Sequence, residues 1–170
     1  LSFFILLLLM LFFLRNQYFQ KSIVLDTHSL YINTGASFND VREHLDSLVY
    51  DLNPIAKLGL STFIKQKRLE YWFRPGHYIL KKSSSINDVI NKLRSQSQDP
   101  INITYNSTDN ISTILGVIGH KLEIDSTNLV KYLDANQISL DSLYFLLIPN
   151  TYHMFWDISE EELIERLYLE

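Results

Sequence analysis

The first fourteen residues, LSFFILLLLMLFFL, contain no charge and one polar side chain, and nothing else in the chain restricts its fold as much. A helix built from them is apolar on every side, which suits lipid rather than the surface of a small domain. Fourteen helical residues rise only about 21 Å against a hydrocarbon core of roughly 30 Å. The chain begins with Leu1 and not Met, so the expected span starts upstream. The following residues, Arg15 to Phe19, offer no small-x-small cleavage site and supply aromatics suited to a membrane interface. Residues 1–14 are therefore expected to form an uncleaved single-pass transmembrane anchor, with a linker at 15–28.

Composition removes several function classes. With 170 residues, 46% of them hydrophobic, the chain can bury the core of one ordinary domain or two small ones. A net charge of -4 argues against a nucleic-acid partner, because binding to a phosphate backbone is driven by clustered Lys and Arg. The one basic cluster, Lys65, Lys67 and Arg68, falls at the expected end of a helix, where it complements the dipole. There is no cysteine, and the five histidines show no ligand spacing, so neither a disulfide framework nor a metal site is expected. No glycine-rich phosphate loop or nucleophile elbow occurs, and no cofactor is expected.

Two segments share a pattern. LYINTGASFNDVREHL (30–45) and HYILKKSSSINDVINKL (77–93) each run Tyr-Ile, a turn, Ser, an apolar residue, Asn-Asp-Val and then Leu. Ser37 and Ser85 are placed as N-caps, with Asp40 and Asp88 positioned to reach back to the cap's amide. Both segments read as strand, turn, capped helix. Between them Asn53 and Pro54 start a helix to about Arg68, and LEYWF reads as a strand. After the polar loop SQSQDP, INITY alternates as a strand, and DNISTILGVIGHKL repeats apolar residues at helical spacing. Asp125 or Ser126 opens a further helix, LYFLLI reads as the next strand, and Ser159 with Glu162 forms a capping box before the last helix. The fold class is α+β, with a small module at 29–97 and the beginning of a second at 98–170.

The order of these features resembles the endolytic murein transglycosylases, the YceG-like (MltG) family. The first part of that likeness rests on Gly76, Tyr78, Leu80, Ser85, Asp88, Val89, Ile90, Leu93, Pro100 and Thr104. The second rests on Pro149, Asn150, Thr151 and Tyr152, which match the end of a Glu-Gly-x-x-x-Pro-Asp/Asn-Thr-Tyr signature. The resemblance implies a LysM-like first module followed by the N-terminal part of a YceG-like catalytic module. It implies a membrane-anchored enzyme whose soluble part lies outside the cytoplasm, at the inner membrane or in the periplasm. The substrate it implies is the nascent peptidoglycan glycan strand, cleaved between MurNAc and GlcNAc to leave 1,6-anhydro ends.

In that chemistry one sheltered carboxyl protonates the glycosidic oxygen and then acts as base toward the muramoyl 6-hydroxyl. The signature's Glu position is Tyr144 here and its Gly position is Phe145. A phenol, with a reference pKa near 10, is a poor acid for this leaving group and supplies no anion. His153 can donate a proton but likewise offers no anion. Three readings follow: a carboxylate from beyond Glu170, one from Asp157 or Glu160 to Glu162, or a degenerate relative that binds glycan or serves as a structural partner in a wall-synthesis complex. Asn150, Thr151, Tyr152 and Trp156 are the expected substrate-binding residues, with Phe155 as a further ring for sugar stacking.

Overall fold

Short alternating stretches, each able to bury one face, pair two by two in the computed structural model, which describes residues 2–19, 24, 26–48, 54–106 and 108–169. The chain divides into two compact units, Leu1–Ser97 and Gln98–Glu170. The expected cap Asn53 and residues 20–23 and 25 of the expected linker lie outside the described residues.

The first unit opens with α1 (Ser2–Phe19), whose side chains from Phe3 to Phe13 are all exposed. Among the described residues no helix is long and apolar enough to cross a membrane, so the expected transmembrane anchor at 1–14 is not supported. The physical reason is length: the charge-free part of α1 ends at Leu14, about 20 Å of rise, and polar residues from Arg15 onward complete the helix.

β1 (His28–Ile32) runs antiparallel to β2 (Gly76–Leu80), with Leu30 opposite Tyr78 and Tyr31 opposite His77. Between them come α2 (Phe38–Leu48), α3 (Pro54–Lys67) and α4 (Leu69–Trp72), and α5 (Ile86–Arg94) follows β2. Leu30, Ile32, Tyr78 and Leu80 turn inward onto Val41 and Leu45 of α2 and onto Ile86, Val89, Ile90 and Leu93 of α5. The α5 spacing of three and four residues keeps those four on one stripe. LEYWF is helical rather than extended: Leu69 is fully buried and Phe73 packs on the core, a separation of one helical turn.

The second unit contains β3 (Ile101–Thr104), α6 (Ile111–Lys121), α7 (Ser126–Ala135), α8 (Leu140–Leu146), β4 (Thr151–Met154) and α9 (Glu160–Leu169). β3 and β4 pair antiparallel. Their inner face packs on Ile114 and Ile118 of α6, Leu129 and Leu133 of α7, and Leu163 and Leu167 of α9. At Gly119 an added Cβ would lie 3.1 Å from Ser126, so glycine permits α6 to approach the start of α7. LYFLLI is the second correction. Ser139 caps this stretch by accepting from the Ser142 N–H at 3.1 Å, and it forms α8 with Leu143 in the core.

The helix starts follow the sequence. Ser85 accepts from the Asp88 N–H at 3.2 Å, while Asp88 accepts from the Ser85 N–H at 2.9 Å. Ser37 and Asp40 repeat the box at 3.4 and 2.8 Å, on the surface. Ser85 is only 5% exposed and Ser37 lies at the surface, so removing the Ser85 hydroxyl leaves the Asp88 N–H without its capping acceptor where water reaches less readily. Ser85→Ala should lower stability by about 1–2 kcal/mol and Ser37→Ala by about 0.5–1 kcal/mol, read from urea unfolding. The reverse order would show that burial does not set the strength of these caps.

Candidate functional site

The β3–β4 pair carries three of the residues that the sequence singles out, Thr151, Tyr152 and His153. Its register sets Asn102 opposite His153, Ile103 opposite Tyr152 and Thr104 opposite Thr151. Because strand side chains alternate, Ile103, Tyr152 and Met154 enter the core, and Asn102, Thr104, Thr151 and His153 form an exposed polar ladder. The Thr104 and Thr151 hydroxyls lie 2.9 Å apart. His153 Nδ1 is 2.6 Å from Asn102 Oδ1. With that carbonyl accepting, Nδ1 carries the hydrogen of this bond. Lys121 Nζ donates to the Asn102 carbonyl at 2.7 Å and adds a cation at the ladder's edge. Asn102, Thr104 and Lys121 are not among the substrate-binding residues expected from the sequence, although Thr104 belongs to the motif that carries the family likeness. Alternation in INITY places the first two on one face, but only the register brings them to Thr151 and His153.

The turn before β4 is held from below. Tyr152 is 2% exposed, its ring stacks on Tyr105 with centroids 5.3 Å apart, and its hydroxyl donates to the Ile148 carbonyl at 2.9 Å. A ring so placed shapes the turn and cannot lie against a sugar. Asn150 is exposed and its Oδ1 accepts from the Thr151 N–H at 2.8 Å. Trp156 is half-buried, with its carbonyl accepting from the Glu123 N–H at 2.9 Å, while Phe155 is exposed. Tyr144 lies on α8, not on a strand, and is 42% exposed beside the still more exposed Phe145. An exposed phenol on a helix lacks the sheltered setting that a glycosidic acid needs.

Of the acids considered as substitutes, Asp157 and Glu162 line one cavity of about 420 Å³, together with Gln98, Phe155, Glu165 and Arg166. Glu160 and Glu161 do not line it. Gln98 Nε2 donates to Asp157 Oδ2 at 3.2 Å, and its own Oε1 is buried with no hydrogen-bond partner among the described residues. Glu162 accepts from the Ser159 N–H and hydroxyl, each at 3.0 Å, and these bonds hold its pKa below the ordinary value. That direction keeps it charged, opposite to what a proton donor requires. A second cavity, about 320 Å³, belongs to the first unit and is lined by Tyr31, Asn33, Thr34, Asp40 and His44 among others. The ring of Tyr31 stacks on His77 at 4.7 Å and is 42% exposed. Among the described residues no group of acids and histidines could hold a metal ion.

The profile of the YceG-like family matches residues 30–170, and the chain belongs to that family. A crystal structure of a YceG-like protein from Listeria monocytogenes is similar at 15% identity and a TM-score of 0.38. The match covers 85% of this chain and 54% of that protein, so the chain spans about half the length of this relative. No curated protein matches the chain.

Two measurements follow from this geometry. Tyr152→Phe removes only the bond to the Ile148 carbonyl and should destabilise by about 1 kcal/mol, read by urea unfolding. Glu162 has a folded-state pKa below its ordinary 4.5, so its contribution to stability is present above that value and is lost as pH falls through the lower, folded-state one. The thermal midpoint should therefore fall more steeply below pH 4.5 in the parent than in Glu162→Gln, and equal slopes would remove the capping carboxylate as the cause.

Proposed function

We propose that this protein works on peptidoglycan glycan strands beside a membrane, as a member of the lytic transglycosylase class that cleaves MurNAc–GlcNAc bonds to 1,6-anhydro ends. The observation that carries this reading is the family match over residues 30–170. The exposed ladder of Asn102, Thr104, Thr151 and His153, with Lys121 at its edge, supports it by offering hydroxyl, amide, imidazole and ammonium groups to a polar polymer. Asn150 and Thr151 shape the turn that presents this face, Tyr152 fixes the turn from the core, and Phe155 and Trp156 are the rings for sugar stacking. Asp157 and Glu162 are unsuited as found: the first is engaged by Gln98, the second is held charged. In this proposal the described residues hold the strand, and the sheltered carboxyl that transfers the proton is supplied from outside them.

The uniformly exposed apolar residues of α1 support attachment to a membrane, and the family resemblance implies the extracytoplasmic side for the rest of the chain. Tethering there raises the local concentration of protein near newly exported strands. A second reading, a cell-wall-binding protein without catalysis, is favoured by Tyr144 in place of the signature's acid and by the cavity beside Tyr31 in the LysM-like first unit.

Incubating the full-length gene product with uncrosslinked glycan strands should produce 1,6-anhydromuramoyl ends, detected by mass spectrometry. Cosedimentation with sacculi but no such ends would leave the binding reading, and loss of both would remove the glycan as substrate. Asn150→Ala should weaken cosedimentation about tenfold, the loss of one or two well-placed hydrogen bonds, with an unchanged thermal midpoint. Equal losses of binding and stability would make Asn150 a turn residue only.

A further inference from the structure

Between Lys65 and Arg74 the chain places four cations against one carboxylate, although the protein as a whole is acidic. In the structure this stretch is the corner where α3 ends and α4 begins. Arg68 takes a left-handed φ of 51°, and the Arg68 N–H donates to the Lys65 carbonyl at 3.1 Å. The corner stands on a firm base: Leu69 is fully buried, Phe73 packs against Phe38 at 5.9 Å, and the Trp72 carbonyl accepts from Gln96 Nε2 at 3.4 Å. With Leu69 and Phe73 turned in, the two residues of α4 before Phe73 are turned out. Tyr71 is 73% exposed and Trp72 is 50% exposed, with Lys65, Arg68 and Arg74 also exposed. Glu70, the one acid, is hydrogen-bonded to Tyr71.

Scattered single apolar residues on a surface need no explanation. An exposed Tyr and Trp side by side, in a stretch that carries four cations, is a different case. Each ring has about 150–250 Å² to bury and one polar atom that stays wet, the combination that favours the membrane–water interface. Cations beside such rings are drawn to an anionic leaflet.

We propose that the α3–α4 corner docks on an anionic lipid headgroup surface, with Tyr71 and Trp72 seated at the interface and Lys65, Lys67 and Arg68 against the phosphates. Charge complementarity identifies this occupant, and α1 of the same unit, exposed from Phe3 to Phe13, is a second lipid-seeking element. The inference rests on the membrane half of the proposed function and is independent of the glycan half. Docking at this corner fixes which face of the first unit lies on the bilayer, so the unit is oriented rather than merely tethered.

The test uses the whole chain, and because α1 alone can hold it on a vesicle, the readout is the depth of Trp72 rather than bulk binding. Trp72 emission, isolated as the difference between the parent and Trp72→Phe, should shift to the blue and be quenched by brominated lipid in vesicles containing phosphatidylglycerol. Pure phosphatidylcholine should give a much smaller effect, and added salt should weaken the response. Replacing Lys65, Lys67 and Arg68 with Gln should raise the vesicle concentration for half-maximal quenching by about fivefold per cation at low salt. Vesicle-bound protein whose Trp72 emits as in buffer would overturn the proposal, as would failure to bind vesicles, and both leave the glycan-strand reading standing. The same spectral change produced by a soluble polyanion without vesicles would overturn the lipid assignment.

Discussion

A two-stranded antiparallel ribbon does not persist alone in water, and in this protein each unit is built around one. Every ribbon must therefore bury one face against helices and hold its register by means other than neighbouring strands. The same device does this twice. Tyr78 and Tyr152 are among the largest fully buried side chains, and each donates its hydroxyl to the carbonyl four residues earlier, Arg74 at 3.0 Å and Ile148 at 2.9 Å. Both tyrosines close a Pro-(Gly/Asn)-x-Tyr stretch, PGHY at 75–78 and PNTY at 149–152. Proline fixes the turn, the ring fills the core, and the phenolic bond ties the turn to the strand it opens.

That repetition changes how the PNTY signature is read. In the first unit the equivalent stretch leads into β2, and its tyrosine serves the core. In the second the Pro and Tyr serve the same end, so their part in the signature is architectural. The turn presents outward Asn150, Thr151 and His153, with the β3 partners Asn102 and Thr104. The buried Tyr152 holds this outward set in place through its bond to the Ile148 carbonyl.

Features whose cause is local were legible in the sequence. The boxes at Ser37, Ser85 and Ser159 and the cap at Asp125 depend on residues two or three apart, and all form. LEYWF and LYFLLI were misread because a short apolar run has no period that separates a strand from a buried helical turn. Tertiary packing decides them, through Leu69 with Phe73 in one case and Leu143 in the other. Ser139, two residues before Asp141, was the overlooked local signal for α8. The site was legible only on β4. Pairing of His153 with Asn102 depends on a register across 51 residues of chain, and the reach of Lys121 to the Asn102 backbone carbonyl on the packing of α6 beside β3, neither of which a spacing rule supplies.

The acids show why capping and catalysis compete in so small a unit. A carboxylate that caps a helix accepts backbone and hydroxyl hydrogen bonds and sits at the positive end of the dipole, and both effects favour its charged form. Glu162 and Asp125 are held below their ordinary pKa values by such bonds, Glu162 by Ser159 and Asp125 by Thr127. Asp40 and Asp88 are engaged in the same geometry. A glycosidic acid needs the opposite surroundings: an apolar shelter, few donors, and a proton retained near neutrality. In α7 and α9 the carboxylate that makes the helix start stable is thereby unsuited to retain a proton.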